Sequence, residues 1–160
     1  MKKLSAILAV LSTAACTTHI PIRSELIIEA PADQIYAKLI DFESYPNWNP
    51  YHIRVKGKPE VGSALEVRVR RPDGEVIDVP SVHILRMEKD RELTWGGGMK
   101  GIFHGEHVFL LEEVGPNQTK LIHNEDFKGI FIGFADLPPD VIEQGYKQMN
   151  EALKIEMEKD

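Results

Sequence analysis

The sequence has little of what would make several functions obvious. Its 160 residues contain one cysteine, Cys16, so an internal disulfide bond is excluded. Basic side chains are fewer than acidic ones, 19 Lys and Arg against 25 Asp and Glu, which poorly suits a phosphate backbone. We therefore expect no nucleic-acid partner. The length fits one domain.

Motifs for nucleophilic or metal-assisted catalysis are also missing. The sequence has no G-x-S-x-G motif, and its six histidines form no H-E-x-x-H pattern. The glycines at 96–98 are not followed by a helix with Lys-Ser or Lys-Thr, so they predict no phosphate-binding loop. His104 and His107 would lie on opposite faces of a strand, which suits chelation poorly. We expect neither a metal ion nor a cofactor.

The N-terminus has a short hydrophobic run after two lysines, but no long one. The uncharged stretch from Leu4 to Ala15 has twelve residues and would span about 18 Å as a helix. This is too short for the hydrocarbon core of a bilayer. A charged start, a short apolar segment and small residues before a cysteine are typical of a secretory signal peptide over residues 1–15.

Cys16 follows Ala14 and Ala15, and this arrangement resembles a bacterial lipobox, in which the cysteine becomes the lipid-modified first residue. Thr17 in place of aspartate favours sorting to the outer membrane. We expect a signal peptide (1–15), a lipidated tether (16–23) and one domain (24–160), exported to the cell envelope, membrane-anchored and facing the periplasm. The alternative is ordinary cleavage after Ala15, with Cys16 incidental.

The pattern of the mature chain predicts an α+β fold. Residues 24–30 form a strand-like segment, and a short amphipathic helix follows to about Ile40. From His52 to Phe127 successive strands are separated by turn residues and not by helices, which predicts an antiparallel sheet. An apolar face from Val141 to Leu153 predicts a long C-terminal helix packed on that sheet.

Aromatic residues are concentrated in one short segment, residues 41–51. They are Phe42, Tyr45, Trp48 and Tyr51. Pro46 and Pro50 restrict the residues before them, so only one or two helical turns fit here. The rings either seal a small core at the end of the sheet or form part of the wall of a groove.

Four segments carry a family resemblance. They are IEAPADQIYAKLIDFESYPNWNP, LTWGGG, GEHVFLLEEV and HNEDFKGIF. Each resembles the START-like superfamily called SRPBCC, most closely its polyketide cyclase/dehydrase branch, and the resemblance covers residues 24–157. It implies a helix-grip fold, in which a curved antiparallel sheet of about six to seven strands wraps around the long C-terminal helix. Two short helices follow the first strand. In that family the space between sheet and helix is a pocket for hydrophobic ligands.

The resemblance directs one face of the strand from residue 103 to residue 111 into the pocket. It would bring His107, His123 and Glu125 together, either as a hydrogen-bonded pair that braces two strands or as contacts for the polar end of a ligand. At Gly145 the missing side chain either lets the sheet approach or, as we favour, leaves room for ligand. The predicted ligand-binding residues are Trp48, Trp95, Phe103, His107, Phe109, His123, Glu125, Phe127, Gly145 and Met149.

These observations favour a binding protein over an enzyme. We expect it to bind or carry a hydrophobic small molecule or lipid between the sheet and the C-terminal helix, anchored in the cell envelope. The rival hypothesis is a cyclase/dehydrase-type enzyme that uses His107, His123 or Glu125 as acid–base groups. A third hypothesis is an interaction module whose interior is filled by its own side chains.

Overall fold

The computed structural model describes residues 18–159 and confirms the α+β fold. The strands are β1 (Thr18–Ile28), β2 (His52–Lys56), β3 (Ala64–Arg70), β4 (Val76–Glu88), β5 (Glu92–Met99), β6 (Phe103–Gly115) and β7 (Gln118–Gly129). The α-helices are α1 (Ala32–Ile40), α2 (Tyr45–Trp48) and α3 (Pro139–Met157). Single 3-10 turns precede α2 (Phe42–Ser44) and α3 (Ile132–Phe134).

The seven strands form one curved antiparallel sheet in the order β1-β7-β6-β5-β4-β3-β2, with α3 on its concave side. This is the expected helix-grip arrangement, with two short helices between β1 and β2. The turn at Pro72-Asp73-Gly74 joins β3 to β4 as predicted, and Gly74 has a φ of 94°. Between residues 18 and 159 no helix is both long and apolar enough to cross a membrane.

β1 begins earlier than the sequence predicts. The strand was expected from Ser24, but it starts at Thr18 and pairs with β7 along its whole length. Residues 18–23, which we interpreted as tether, therefore belong to the sheet. Main-chain hydrogen bonds to a long neighbouring strand hold them there, and such bonds need no apolar alternation in the side chains. The predicted signal peptide and Cys16 lie outside the described residues.

α3 packs the predicted apolar face against the sheet. Its buried residues are Ile142, Gly145, Tyr146, Met149, Asn150 and Leu153. Burying a side chain the size of Met149 or Leu153 stabilises the fold by about 1.5–3 kcal/mol. Asn150 differs from the other buried residues of this face, because its side-chain amide needs hydrogen-bond partners when it is buried. Those partners lie in the candidate site.

Candidate functional site

A cavity of about 380 Å³ lies between the concave face of the sheet and the start of α3. Small-molecule sites commonly occupy about 300–1,000 Å³, so this volume argues against a filled interior. Two of its lining residues, Val79 and Phe103, are each 37% exposed. The wall is mostly apolar and includes Val67, Val69, Val82, Phe127, Leu137 and Ile142.

The structure brings half of the predicted ligand-binding residues to this cavity. The lining residues among them are Trp95, Phe103, His107, Glu125 and Phe127. The remaining five do not line it. They are Trp48, Phe109, His123, Gly145 and Met149. Phe109 and Met149 point inwards as predicted and are fully buried in the core. They do not reach the cavity, which the sequence pattern could not show.

Gly145 leaves no room for a ligand, contrary to the prediction. A Cβ atom at this position would overlap the ring of Tyr51, which already fills the space. The missing side chain allows Tyr51 to pack edge-on against Tyr146, with ring centroids 5.3 Å apart. The glycine therefore serves close packing between α3 and the segment before β2.

The aromatic segment fulfils both of the roles considered for it. The Tyr45 ring packs 5.0 Å from Trp48 and 5.9 Å from Phe42, measured between centroids, and the Tyr45 hydroxyl donates to the Leu39 carbonyl oxygen at 2.7 Å. These three rings form a core at the end of the sheet. Tyr51 alone among the four lines the cavity.

The predicted cluster of His107, His123 and Glu125 forms, and Tyr146 of α3 joins it. His107 Nε2 lies 2.9 Å from His123 Nε2, and His107 Nδ1 lies 3.0 Å from the Tyr146 hydroxyl oxygen. The same hydroxyl contacts Glu125 Oε2. Strand registry explains the meeting, because His107 on β6 pairs directly with Glu125 on β7.

The cluster continues behind the cavity to two residues that sequence reasoning missed. His123 Nδ1 lies 2.7 Å from Asn150 Oδ1, and Asn150 Nδ2 donates to Ser24 Oγ at 3.0 Å. His123 and Asn150 are 0% and 2% exposed. The sequence offered one signal for Asn150, which is a single amide on an otherwise apolar helix face, four residues after Tyr146. We call the run from Ser24 to Glu125 the polar chain; its members are Ser24, Asn150, His123, His107, Tyr146 and Glu125.

His52 is a third buried histidine and was also missed. Its Nδ1 lies 3.3 Å from Met149 Sδ, its ring packs edge-on to His107 at 4.9 Å, and it lines the cavity. A register shift between His52 and Arg54 accompanies this position at the start of β2. Alternation along the sequence cannot locate such a shift.

Burial controls the charge of these groups. It lowers the pKa of His107 to about 3, and it lowers the pKa of His52 and of His123 well below the ordinary value, with neighbouring histidines adding to the effect. The imidazoles are therefore neutral near pH 7. Burial raises the pKa of Glu125 to about 7, against the lowering that a hydrogen bond donated by Tyr146 exerts on an ionised carboxylate. The approach of His107 Nδ1 to Glu125 Oε2 at 3.6 Å is consequently not an ion pair.

Arg71 is a buried cation on the other side of the cavity. Its side chain is 3% exposed and contacts the carboxylates of Glu75 and Asp136. Its Nε atom has no hydrogen-bond partner among residues 18–159. Arg71 follows β3 and Asp136 precedes α3, so their ion pair links the β3–β4 turn to the segment that leads into the helix. Within the same residues no three side chains of metal-binding types converge on one point.

Solved structures of low sequence identity share this fold. The Zhui aromatase/cyclase from a Streptomyces species is 17% identical, with a TM-score of 0.69 over 88% of this chain and 94% of that one. A START superfamily protein from Mycobacterium smegmatis is 17% identical, with a TM-score of 0.62 over 87% and 97%. The chain spans about half, 51%, of the di-domain aromatase/cyclase BexL, at 12% identity, a TM-score of 0.66 and 89% coverage of this chain. No curated protein matches the sequence.

The sequence itself matches a known family over residues 19–158, described as polyketide cyclase/dehydrase and lipid transport. The match spans all seven strands except the first residue of β1, and it contains α3, the residues that line the cavity and the whole polar chain. It agrees with the START-like resemblance seen in the sequence and with the helix-grip architecture. The chain belongs to the polyketide cyclase/dehydrase and lipid transport family.

Proposed function

We propose that the protein binds a hydrophobic small molecule or lipid in the cavity between the sheet and α3. The observation that carries this proposal is the cavity itself, about 380 Å³ with a mostly apolar wall and a few polar groups. Removing apolar surface from water contributes about 25 cal/mol per Å² before the costs of association. The polar groups would fix the orientation of the ligand.

Glu125 is the polar group best placed to contact a ligand. Its Oε2 is occupied by Tyr146, while a Cβ at the cavity-lining Gly105 would lie 3.5 Å from its Oε1. Oε1 has no hydrogen-bond partner among residues 18–159 and belongs to a side chain that is 15% exposed. A ligand group that reaches this oxygen gains a hydrogen bond in an environment of low polarity.

A cavity-filling substitution tests the proposal with the neutral fluorescent lipophile Nile red. Val69 lines the cavity on β3, and Val69→Phe should weaken binding about tenfold or more because the larger ring occupies the space. Val61→Phe is the matched control, since Val61 is 64% exposed and lies outside the lining. Circular dichroism checks that both variants fold. A wild type that takes up no lipophile, or equal affinity in both variants, would overturn the proposal.

Acid–base catalysis of the cyclase/dehydrase kind is a second candidate function, favoured by the pKa of Glu125 near 7 at the cavity wall. His123 does not line the cavity and is neutral, so this role would fall on Glu125, with His107 and Tyr146 beside it. Glu125→Gln should then retain binding of a β-polyketone and lose its conversion, followed by mass spectrometry. Conversion that survives the substitution rules this candidate out.

We also propose that Cys16 carries a lipid that anchors the protein in the bacterial cell envelope. The sequence pattern of residues 1–16 supports this, and β1 begins only two residues later, at Thr18. The anchor would therefore hold the edge of the sheet close to the bilayer. Mass spectrometry of the membrane fraction should show an acylated Cys16, and Cys16→Ser should release the protein. An unmodified N-terminal fragment that includes Cys16 would refute the anchor.

A further inference from the structure

The orientation of the Asn150 amide sets where the hydrogens of the polar chain lie. Asn150 Nδ2 donates to Ser24 Oγ, so the amide oxygen Oδ1 is the atom that faces His123 Nδ1 at 2.7 Å. An amide oxygen can only accept, and therefore His123 Nδ1 carries a hydrogen. Since His123 is buried and neutral, its other nitrogen, Nε2, is a bare acceptor.

His107 must then hold the opposite tautomer. Its Nε2 lies 2.9 Å from the bare Nε2 of His123, so the hydrogen between them belongs to His107. His107 Nδ1 is left bare and accepts from the Tyr146 hydroxyl at 3.0 Å. The single hydrogen of that hydroxyl is used in this bond.

In this arrangement Glu125 receives no hydrogen from Tyr146. The short contact between Glu125 Oε2 and the Tyr146 oxygen is a hydrogen bond only if Glu125 itself supplies the hydrogen. The chain thus runs in one direction, from a neutral carboxylic acid at the cavity wall to the half-buried hydroxyl of Ser24. The pKa of Glu125, which burial raises to about 7, is consistent with this arrangement.

We propose that Asn150, which does not touch the cavity, fixes Glu125 as a neutral acid and so selects a ligand whose polar end is an uncharged hydroxyl group. The proposal rests on the function proposed above, because it needs a ligand in the cavity. With its hydrogen on Oε2, Glu125 presents Oε1 to the ligand as a carbonyl-type acceptor. Asn150 is a positioning residue that acts through His123, His107 and Tyr146.

The other charged and titratable groups around Glu125 do not favour an ionic ligand. Those near it are His107 on β6, Tyr146 on α3 and Tyr51 before β2, together with Arg23 on β1 and the adjacent Asp126 on β7, whose side chains pair with each other in exposed contacts. Arg23 donates to the main-chain oxygen of Glu125, and its charge is paired with Asp126 at 2.7 Å.

Arg71, the buried cation that lines the cavity, is already paired with two carboxylates. An anionic ligand would therefore meet no uncompensated cation among the described lining residues. An ammonium group would meet no ionised carboxylate at Glu125. A hydroxyl group matches the free Oε1 acceptor without placing a second charge in the apolar cavity.

Reversal of every hydrogen bond is the competing arrangement. Asn150 Nδ2 would then donate to His123, His107 Nδ1 would donate to Tyr146, and Tyr146 would donate to an ionised Glu125. Both histidines change tautomer between the two arrangements. Nuclear magnetic resonance distinguishes the tautomers directly, because the two ring nitrogens of neutral imidazole have very different nitrogen shifts.

Long-range proton–nitrogen correlation spectra of the full chain at pH 6 test the arrangement without any ligand. We expect hydrogen on Nδ1 of His123 and on Nε2 of His107. Asn150→Leu should leave His123 in a mixture of tautomers, whereas Gln148→Leu, on the exposed face of the same helix, should change nothing. Asn150→Asp retains the acceptor and should keep both tautomers, which covers the case of a leucine variant that does not fold. Hydrogen on Nδ1 of His107 in the wild type would overturn the proposal.

Three matched probes test the ligand class by isothermal titration calorimetry at pH 6. We expect 2-naphthylmethanol to bind about fivefold more tightly than 2-methylnaphthalene, the value of one net hydrogen bond, and more tightly than 2-naphthylmethylammonium. Asn150→Leu should reduce the difference in affinity between 2-naphthylmethanol and 2-naphthylmethylammonium. Tightest binding of the ammonium overturns the selection of a hydroxyl while leaving the binding function intact. If none of the three probes binds, both the proposed binding function and the proposed ligand class are refuted.

Discussion

The Glu125→Gln substitution should change how the stability of the protein depends on pH. Burial raises the pKa of Glu125 from 4.5 to about 7, so the folded protein retains a proton that the unfolded chain releases between these values. The stabilisation that comes from this proton is complete below pH 4.5 and is lost as the pH rises through 7. Glutamine imitates the neutral acid in shape and can donate to Tyr146, but it does not titrate.

The size of the effect follows from the two pKa values. Between pH 5 and pH 7 the wild type should lose about 2 kcal/mol of unfolding free energy through Glu125, because the unfolded carboxyl becomes almost fully ionised while the folded one is only about half ionised at pH 7. The glutamine variant should lack this loss. Its stability relative to the wild type should therefore rise by about 2 kcal/mol over the same range, since all other titrating groups are common to both proteins.

Urea unfolding at pH 5, 6 and 7, followed by tryptophan fluorescence, measures this difference. Glu106→Gln is a suitable control because Glu106 lies on the face of β6 opposite to His107, away from the cavity, and is paired with Arg86 at 3.1 Å. A difference between wild type and Glu125→Gln that stays constant from pH 5 to pH 7 would refute the neutral acid. It would show that Glu125 is already ionised at pH 5 in the folded protein.

Further predictions follow from the packing and charge of the same region. Gly145→Ala should lower the unfolding free energy by about 1–3 kcal/mol in urea titrations, despite the higher helix propensity of alanine, because the added methyl overlaps Tyr51. Trp48→Phe should leave Nile red affinity unchanged in fluorescence titrations, whereas Trp95→Phe, at the cavity wall, should alter it. Lowering the pH from 7 to 5 should cost the wild type about 2 kcal/mol through His107, a loss absent from His107→Gln in urea unfolding at the two pH values.

The inward face of the central strands could be predicted from the sequence because their registry is regular. β6 pairs with β5 without a shift, and its pairing with β7 shifts only beyond Glu113, so alternation places His107, Phe109 and Leu111 inwards as expected. The apolar periodicity of α3 likewise determined which helix face is buried. Both patterns are local, and each is repeated over enough residues to be unambiguous.

The cavity boundaries could not be predicted in the same way, because they depend on contacts between distant segments. The space beside Gly145 is filled by Tyr51, which is almost one hundred positions away in the chain and is placed by the turn after α2. His52 is buried beside a register shift that alternation does not reveal. Asn150 could be identified as unusual on its apolar face, but its partners His123 and Ser24 belong to two strands whose pairing the sequence does not state.

Ligand binding and acid–base catalysis make different demands on the proton of Glu125, and the polar chain bears on that difference. For Glu125 to give its proton to a ligand and stay hydrogen-bonded, Tyr146 must turn its hydroxyl from His107 towards the carboxylate. His107 Nδ1 then faces an oxygen without a hydrogen unless both histidines change tautomer and the Asn150 amide turns over. Each of these groups is buried, so an unmatched contact costs about 1–3 kcal/mol. The chain therefore opposes proton transfer from Glu125 and favours a group that holds its proton while it orients a bound molecule.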